Sequence, residues 1–164
     1  MRILLITAVK KEAEAIASIA DERTIIVVAG VGRTNAACAT TEAMLQRGPF
    51  DAVLSVGVAG ALPVTNDNDA GAPTFACEIG EPIVATHAVY AEEGLLTPEG
   101  FRDMSGLGFP LAEGVVGNAL PADAGLVNRL AMIFRTGRIA TVATCSGTDA
   151  AACDIARRTG AIAE

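Results

Sequence analysis

Three short apolar runs, each stopping at a turn of small residues, constrain this chain more than any other feature. Ile3-Leu4-Leu5-Ile6-Thr7-Ala8 leads into a charged segment, Thr24 to Ala29 enters Gly30-Val31-Gly32, and Ala52 to Val58 enters Gly57-Val58-Ala59-Gly60. Runs this continuous suit strands buried on both faces of a parallel sheet; an antiparallel sheet with one wet face would alternate apolar with polar residues. Between the runs the period changes. Lys10 to Ala20 carries Ala13, Ile16, Ala17 and Ala20 at helical spacing, and a long Ala-rich segment, capped by Thr34 or Asn35, reaches about Arg47 before Gly48-Pro49 stops it. The order strand, helix, strand, helix, strand predicts an α/β architecture in three αβα layers, with a mainly parallel or mixed central sheet covered on both faces.

Pro63 to Phe75 is polar and turn-rich and reads as a loop or excursion. Strand character returns from Pro82 to Tyr90. From Glu92 to Leu120 the chain is irregular and glycine-rich around Thr97-Pro98-Glu99-Gly100-Phe101, which predicts a long functional loop. A helix from Ala124 to Phe134, a strand from Arg138 to Thr144 and a capped helix from Thr148 to Arg158, ended by Gly160, complete the pattern. The 164 residues suit one domain, 1–164, whose core must come from Ala, Val, Ile and Leu because there is no Trp and only 4% of residues are aromatic. Ala161-Ile162-Ala163-Glu164 opens like a further buried strand. A sheet rarely closes on so short a strand, so the expected architecture is C-terminally incomplete.

A net charge of −7 without any Lys/Arg cluster argues against nucleic acid or an anionic membrane as partner and favours a small molecule. The first apolar run is too short for a signal core or a membrane span, and the expected location is the cytoplasm. Cys38, Cys77, Cys145 and Cys153 form no C-x-x-C pair and have only His87 to join them, so neither a metal nor a cofactor is expected. Cys38 and Cys153 fall in apolar helical patterns and read as buried free thiols.

In an α/β sheet, ligands sit beyond the carboxyl ends of the strands, which singles out Ala8 to Glu12, Gly30 to Asn35, Gly57 to Ala61 and Thr144 to Thr148. A dinucleotide fingerprint does not fit. Gly30-Val31-Gly32 follows the second strand, Asn35 replaces the third glycine, and Asp51 stands at the wrong end of its strand to reach a ribose. Glu12, in the first turn of a helix, is the carboxylate best placed for chemistry, with complementing the helix dipole as the plainer alternative. His87 has no nucleophile elbow to serve and reads as structural. Ser146, in Thr-Cys-Ser-Gly-Thr, reads as a helix cap.

Taken together, Met1 to Ala8 followed by Glu12, then Gly30-Val31-Gly32-Arg33-Thr34-Asn35-Ala36-Ala37, then Asp51 to Gly60, resemble in order and spacing the methylthioadenosine/S-adenosylhomocysteine nucleosidase and purine nucleoside phosphorylase family. Tyr90-Ala91-Glu92-Glu93-Gly94 with Thr97-Pro98-Glu99-Gly100-Phe101 is similar to the futalosine hydrolases within it, enzymes of an alternative menaquinone route. The resemblance implies a phosphorylase/hydrolase-like fold and hydrolysis of an N-ribosidic bond that releases hypoxanthine. It implies that Glu12 polarises the attacking water, that Ala59 and Gly60 lie beside ribose and base, that Thr144, Cys145, Ser146 and Gly147 line the purine, and that Tyr90 lies near the 5′ substituent. A nucleoside substrate and a homo-oligomeric state follow from the same likeness. The chain departs from it in having Val58 where the nucleosidases have Ser. The family's Met-Glu motif and later Asp would follow Glu164, which is not itself that motif, so impaired catalysis is expected of these 164 residues. Phosphorolysis with phosphate on Gly32 and Arg33, a methylthioadenosine/S-adenosylhomocysteine nucleosidase, and a non-catalytic purine-binding module remain as alternatives.

Overall fold

The computed structural model describes residues 1–64 and 74–164, so most of the excursion expected at Pro63 to Phe75 lies outside the described residues. The chain divides into two units, Met1–Val58 and Ala59–Glu164, and each is taken by itself.

In the first unit, β1 (Ile3–Thr7) is the centre of a parallel three-stranded sheet, flanked by β2 (Thr24–Val28) and β3 (Ala52–Ser55). Leu4, Leu5, Ile6 and Thr7 are all buried, as the most continuous apolar run predicts. Successive side chains point to opposite faces, and Leu4 and Ile6 pack with Ala43 of α2 (Arg33–Arg47), with Ile25, Val27 and Phe50 against them. Full burial of one such leucine contributes about 1.5–3 kcal/mol.

The helices depart from expectation in two places. The helix expected over Lys10 to Ala20 divides into α1 (Lys10–Ala15) and a 3-10 turn, Ala17–Ile19, with Ile16 out of the helical region at φ −107°. None of these residues is buried, and so short a segment gains little helical stability without packing. The second departure is the start of α2, capped by Gly32 at φ 97° and not by Thr34 or Asn35. The Asn35 amide donates instead to the Val31 carbonyl at 2.7 Å, bracing a turn in which Gly30 also has positive φ. Cys38 is exposed, not buried. It lies five residues from Ala43, about 140° around the helix from the one buried position.

The second unit holds a four-stranded sheet in the order β7-β4-β8-β9. Its strands are β4 (Ile83–Tyr90), β7 (Ala119–Pro121), β8 (Arg135–Thr141) and β9 (Ala161–Ala163). β4, β8 and β9 run parallel while β7 is antiparallel, giving the mixed sheet. β8 starts and stops three residues earlier than its hydropathy suggests, because Arg135 is held by Glu81 at 2.7 Å and enters the ladder opposite Ile83. Before it, α3 (Ala124–Leu130) ends short of the expected Phe134. The final helix stops at Gly160 as expected, at φ 63°; α4 (Asp149–Thr159) is capped by the Thr148 hydroxyl, which accepts from Ala151 N–H. Ile155 and Ala156 on α4 pack with Leu62, Ala91, Ala140 and Ala161.

The segment expected to be a long loop is partly ordered into sheet. β5 (Gly94–Thr97) and β6 (Gly100–Asp103) make a hairpin, and β7 follows. Buried Asn118 fastens the region, donating to the carbonyls of Tyr90 (2.8 Å) and Glu93 (2.5 Å) and accepting from Met104 N–H. No helix among the described residues is long and apolar enough to cross a membrane.

Candidate functional site

Glu12 begins α1 just beyond β1, and its carboxylate accepts three backbone N–H groups. Oε2 takes Ala8 at 2.9 Å and Val9 at 3.1 Å; Oε1 takes Val58 at 3.0 Å, 46 residues away beyond β3. The Val58 amide is the main cause that holds the carboxyl below its ordinary range; burial acts against it, and the Val9 and Ala8 amides reinforce it. The group is therefore an anion that joins two strand ends, which is more than a helix-dipole partner would do. A carboxylate offers about four acceptor positions, so one remains for a further donor such as water. Gly57 makes the arrangement possible: a Cβ there would lie 2.5 Å from Oε1 and 2.9 Å from the carboxyl carbon.

In the second unit the chain from Gly60 to Leu62 runs beside β9. Gly60 N–H donates to Glu164 O and Glu164 N–H to Gly60 O, both at 2.9 Å. The turn after β8 is held by two carboxylates. Glu92 accepts from Ala143 N–H at 2.5 Å and Thr144 N–H at 3.3 Å, and Glu164 accepts from Ser146 N–H at 2.6 Å and Ser146 Oγ at 3.0 Å. The structure thus corrects the reading of Ser146 as a helix cap: its hydroxyl is spent on Glu164, and Thr148 caps α4.

Gly60, Ser146 and Glu164 are brought together around the end of β9, while Ala59 and Cys145 are exposed. Gly147 has open space where a Cβ would stand. Tyr90, at the end of β4, donates its N–H to the Asn118 carbonyl, accepts at its own carbonyl from the Asn118 side-chain amide, and lines a cavity of about 380 Å³ with Phe101, Arg138 and Arg158. His87 lies within β4, its Nδ1 3.2 Å from the Thr86 hydroxyl. Asp51 accepts from Arg2 N–H at 2.6 Å, at the strand end opposite the glycine turns. Among the described residues no group of three His, Cys, Asp or Glu side chains is placed to hold a metal.

Sequence reasoning missed Glu92, Asn118 and the Gly57 contact. Only Gly57 carried a usable signal, a glycine at a strand end with the right carboxylate one strand away. The partners of Glu92 are 51 and 52 residues distant and carry no side-chain signature.

The chain is similar to known proteins over nearly all of its length. The phosphorylase superfamily model matches residues 11–164. A futalosine hydrolase from Acidothermus cellulolyticus is 32% identical over 178 aligned residues, which cover 98% of this chain and 68% of that protein. Among solved structures, the Neisseria meningitidis 5′-methylthioadenosine/S-adenosylhomocysteine nucleosidase in complex with methylthio-immucillin-A superposes with a TM-score of 0.71 at 15% identity, over 99% of this chain and 73% of that one. A Helicobacter pylori futalosine hydrolase mutant gives 0.68 at 17% identity, over 99% and 74%. The strand-end carboxylate on a parallel β1–β3 pair, the mixed second sheet and a family match that runs over nearly the whole chain lead to one conclusion: this chain belongs to the phosphorylase superfamily.

Proposed function

We propose that the protein is a nucleosidase that hydrolyses the N-ribosidic bond of futalosine and releases hypoxanthine, acting in the cytoplasm as a homo-oligomer and feeding menaquinone synthesis. The substrate class follows the 32% identical futalosine hydrolase. In the reaction the C1′–N bond breaks with its electron pair leaving on the purine, water adds to the ribose carbon that has become cationic, and the purine gains a proton. Glu12, ionised by its three amides, orients the water and takes up its proton as the new C–O bond forms. Thr144 to Gly147 line the purine, Ala59 and Gly60 lie beside ribose and base, and Tyr90 lies near the 5′ substituent.

The observation that carries the hydrolytic reading is Glu12, a carboxylate kept ionised and fixed by three amides and so able to take a proton from water. Backbone N–H groups at such turns are ready anion sites. Here those of Ala8, Val9 and Val58 serve the Glu12 carboxylate, while phosphorolysis would place its phosphate on the separate turn of Gly32 and Arg33, so phosphate dependence is the deciding measurement. Hypoxanthine release from futalosine should proceed at the same rate with and without inorganic phosphate, a ratio independent of the absolute rate. Release that requires phosphate would overturn the hydrolytic reading.

A further inference from the structure

We infer that Glu92 is a positioning residue, whose carboxylate fixes the turn 143–146 and thereby the face this turn offers to a purine. The inference rests on the reading of that turn as the purine-lining segment. The β4–β8 ladder ends at the pair Tyr90–Thr141, so the N–H groups of Ala143 and Thr144 lie beyond it and need acceptors from elsewhere. The Glu92 carboxylate supplies both, in effect prolonging the ladder by two rungs with a side chain.

Glu92 can hold that position because the backbone beneath it is itself fixed. Ala91 is 1% exposed, its N–H donates to Thr141 O at 3.1 Å, and its carbonyl accepts from Arg158 Nη1 at 2.7 Å. Arg158 is in turn held by Asp154 at 2.7 Å and lies 4.8 Å over the Phe101 ring. Asn118 secures the residues on either side, binding the Tyr90 and Glu93 carbonyls. Glu164 takes the Ser146 amide from the other side of the turn. The Cys145 N–H between these anchors makes no hydrogen bond among the described residues, and its direction is set by Glu92 and Glu164. Neither carboxylate needs to touch the ligand to decide where that amide points.

The test is Glu92→Gln, which keeps one neutral acceptor, beside Glu92→Ala, in the full 164-residue chain. Three quantities are read: amide hydrogen exchange at Ala143 and Thr144, binding of hypoxanthine, and the kcat and KM of nucleoside hydrolysis. Replacing a charge-assisted acceptor should speed exchange at both amides and weaken hypoxanthine binding by about tenfold in Glu92→Gln and more in Glu92→Ala. KM should follow the binding loss while kcat stays within about threefold, since Glu92 is not on the reacting atoms. Exchange at Val89 in β4 and Ala140 in β8, buried strand residues of the same unit, should not change, which separates local release from unfolding, and Glu92→Gln keeps the test open where Glu92→Ala does not fold. Unaltered exchange at both amides, or a loss confined to kcat, would overturn the role of Glu92. Hypoxanthine failing to bind the parent chain would overturn the purine-lining reading instead, with the exchange arm still deciding whether Glu92 holds the turn.

Discussion

Glu12 and Glu92 perform similar work in the two units by different routes. Each anion accepts amides that a parallel ladder leaves over at its carboxyl end. Glu12 finds two of its three donors within four residues and reaches one across the sheet, whereas both donors of Glu92 come from the turn after β8, more than fifty residues on. A helix start can hold a carboxylate by local geometry. The turn after β8 has no acid of its own in the first turn of the helix that reaches back to its amides, so the carboxylate comes from the segment after the neighbouring strand, and that segment is fastened in its own right, as Ala91, Arg158 and Asn118 fasten Glu92.

The sharpest way to break the comparison is Glu12→Gln. If Glu12 acts on water while Glu92 only positions, nucleoside hydrolysis should fall about 10²–10⁴-fold relative to the parent chain, well beyond the loss in Glu92→Gln. Equal losses in the two variants would dissolve the distinction between them.

A smaller effect should come from the glycines beside each anchor. Gly57→Ala places a methyl against the Glu12 carboxylate and should cost about 1–3 kcal/mol of stability, together with activity, as the carboxylate is displaced. Gly147→Ala enters open space and should stay within about 0.5 kcal/mol. Urea unfolding of both variants checks the contrast, and a Gly57→Ala protein as stable and active as its parent would refute the close packing at Glu12.

The smallest effect is on acid stability. The Glu12 carboxyl titrates below its ordinary value of 4.5 in the folded chain, so its stabilisation is complete above that value and disappears as pH falls through the lower, folded one. Between pH 5 and acid unfolding the parent should therefore lose stability more steeply than Glu12→Gln. Parallel curves would show that Glu12 gains nothing from its amides.

What could be read in advance follows the same division between near and distant partners. The parallel sheet, the Gly160 stop and the place of Glu12 each rest on signals within a few residues. The hairpin of β5 and β6 was hidden because each strand has only four residues and its glycines resemble loop. Its anchor, Asn118, makes contacts 14 to 28 residues away. Cys38 was misplaced for another reason: it stands among Ala36, Ala37 and Ala39, small residues that suit a buried or an exposed side equally and so do not show which face of α2 meets the sheet.

The tight approach of Gly57 to Glu12 also sets an order on change. Position 57 can accept a methyl without penalty only after position 12 has lost its long acid, while the reverse sequence of events passes through a strained protein with a misplaced carboxylate. Two sites forty-five residues apart therefore behave as one heritable unit, and a descendant that abandons water activation would be freed at both together.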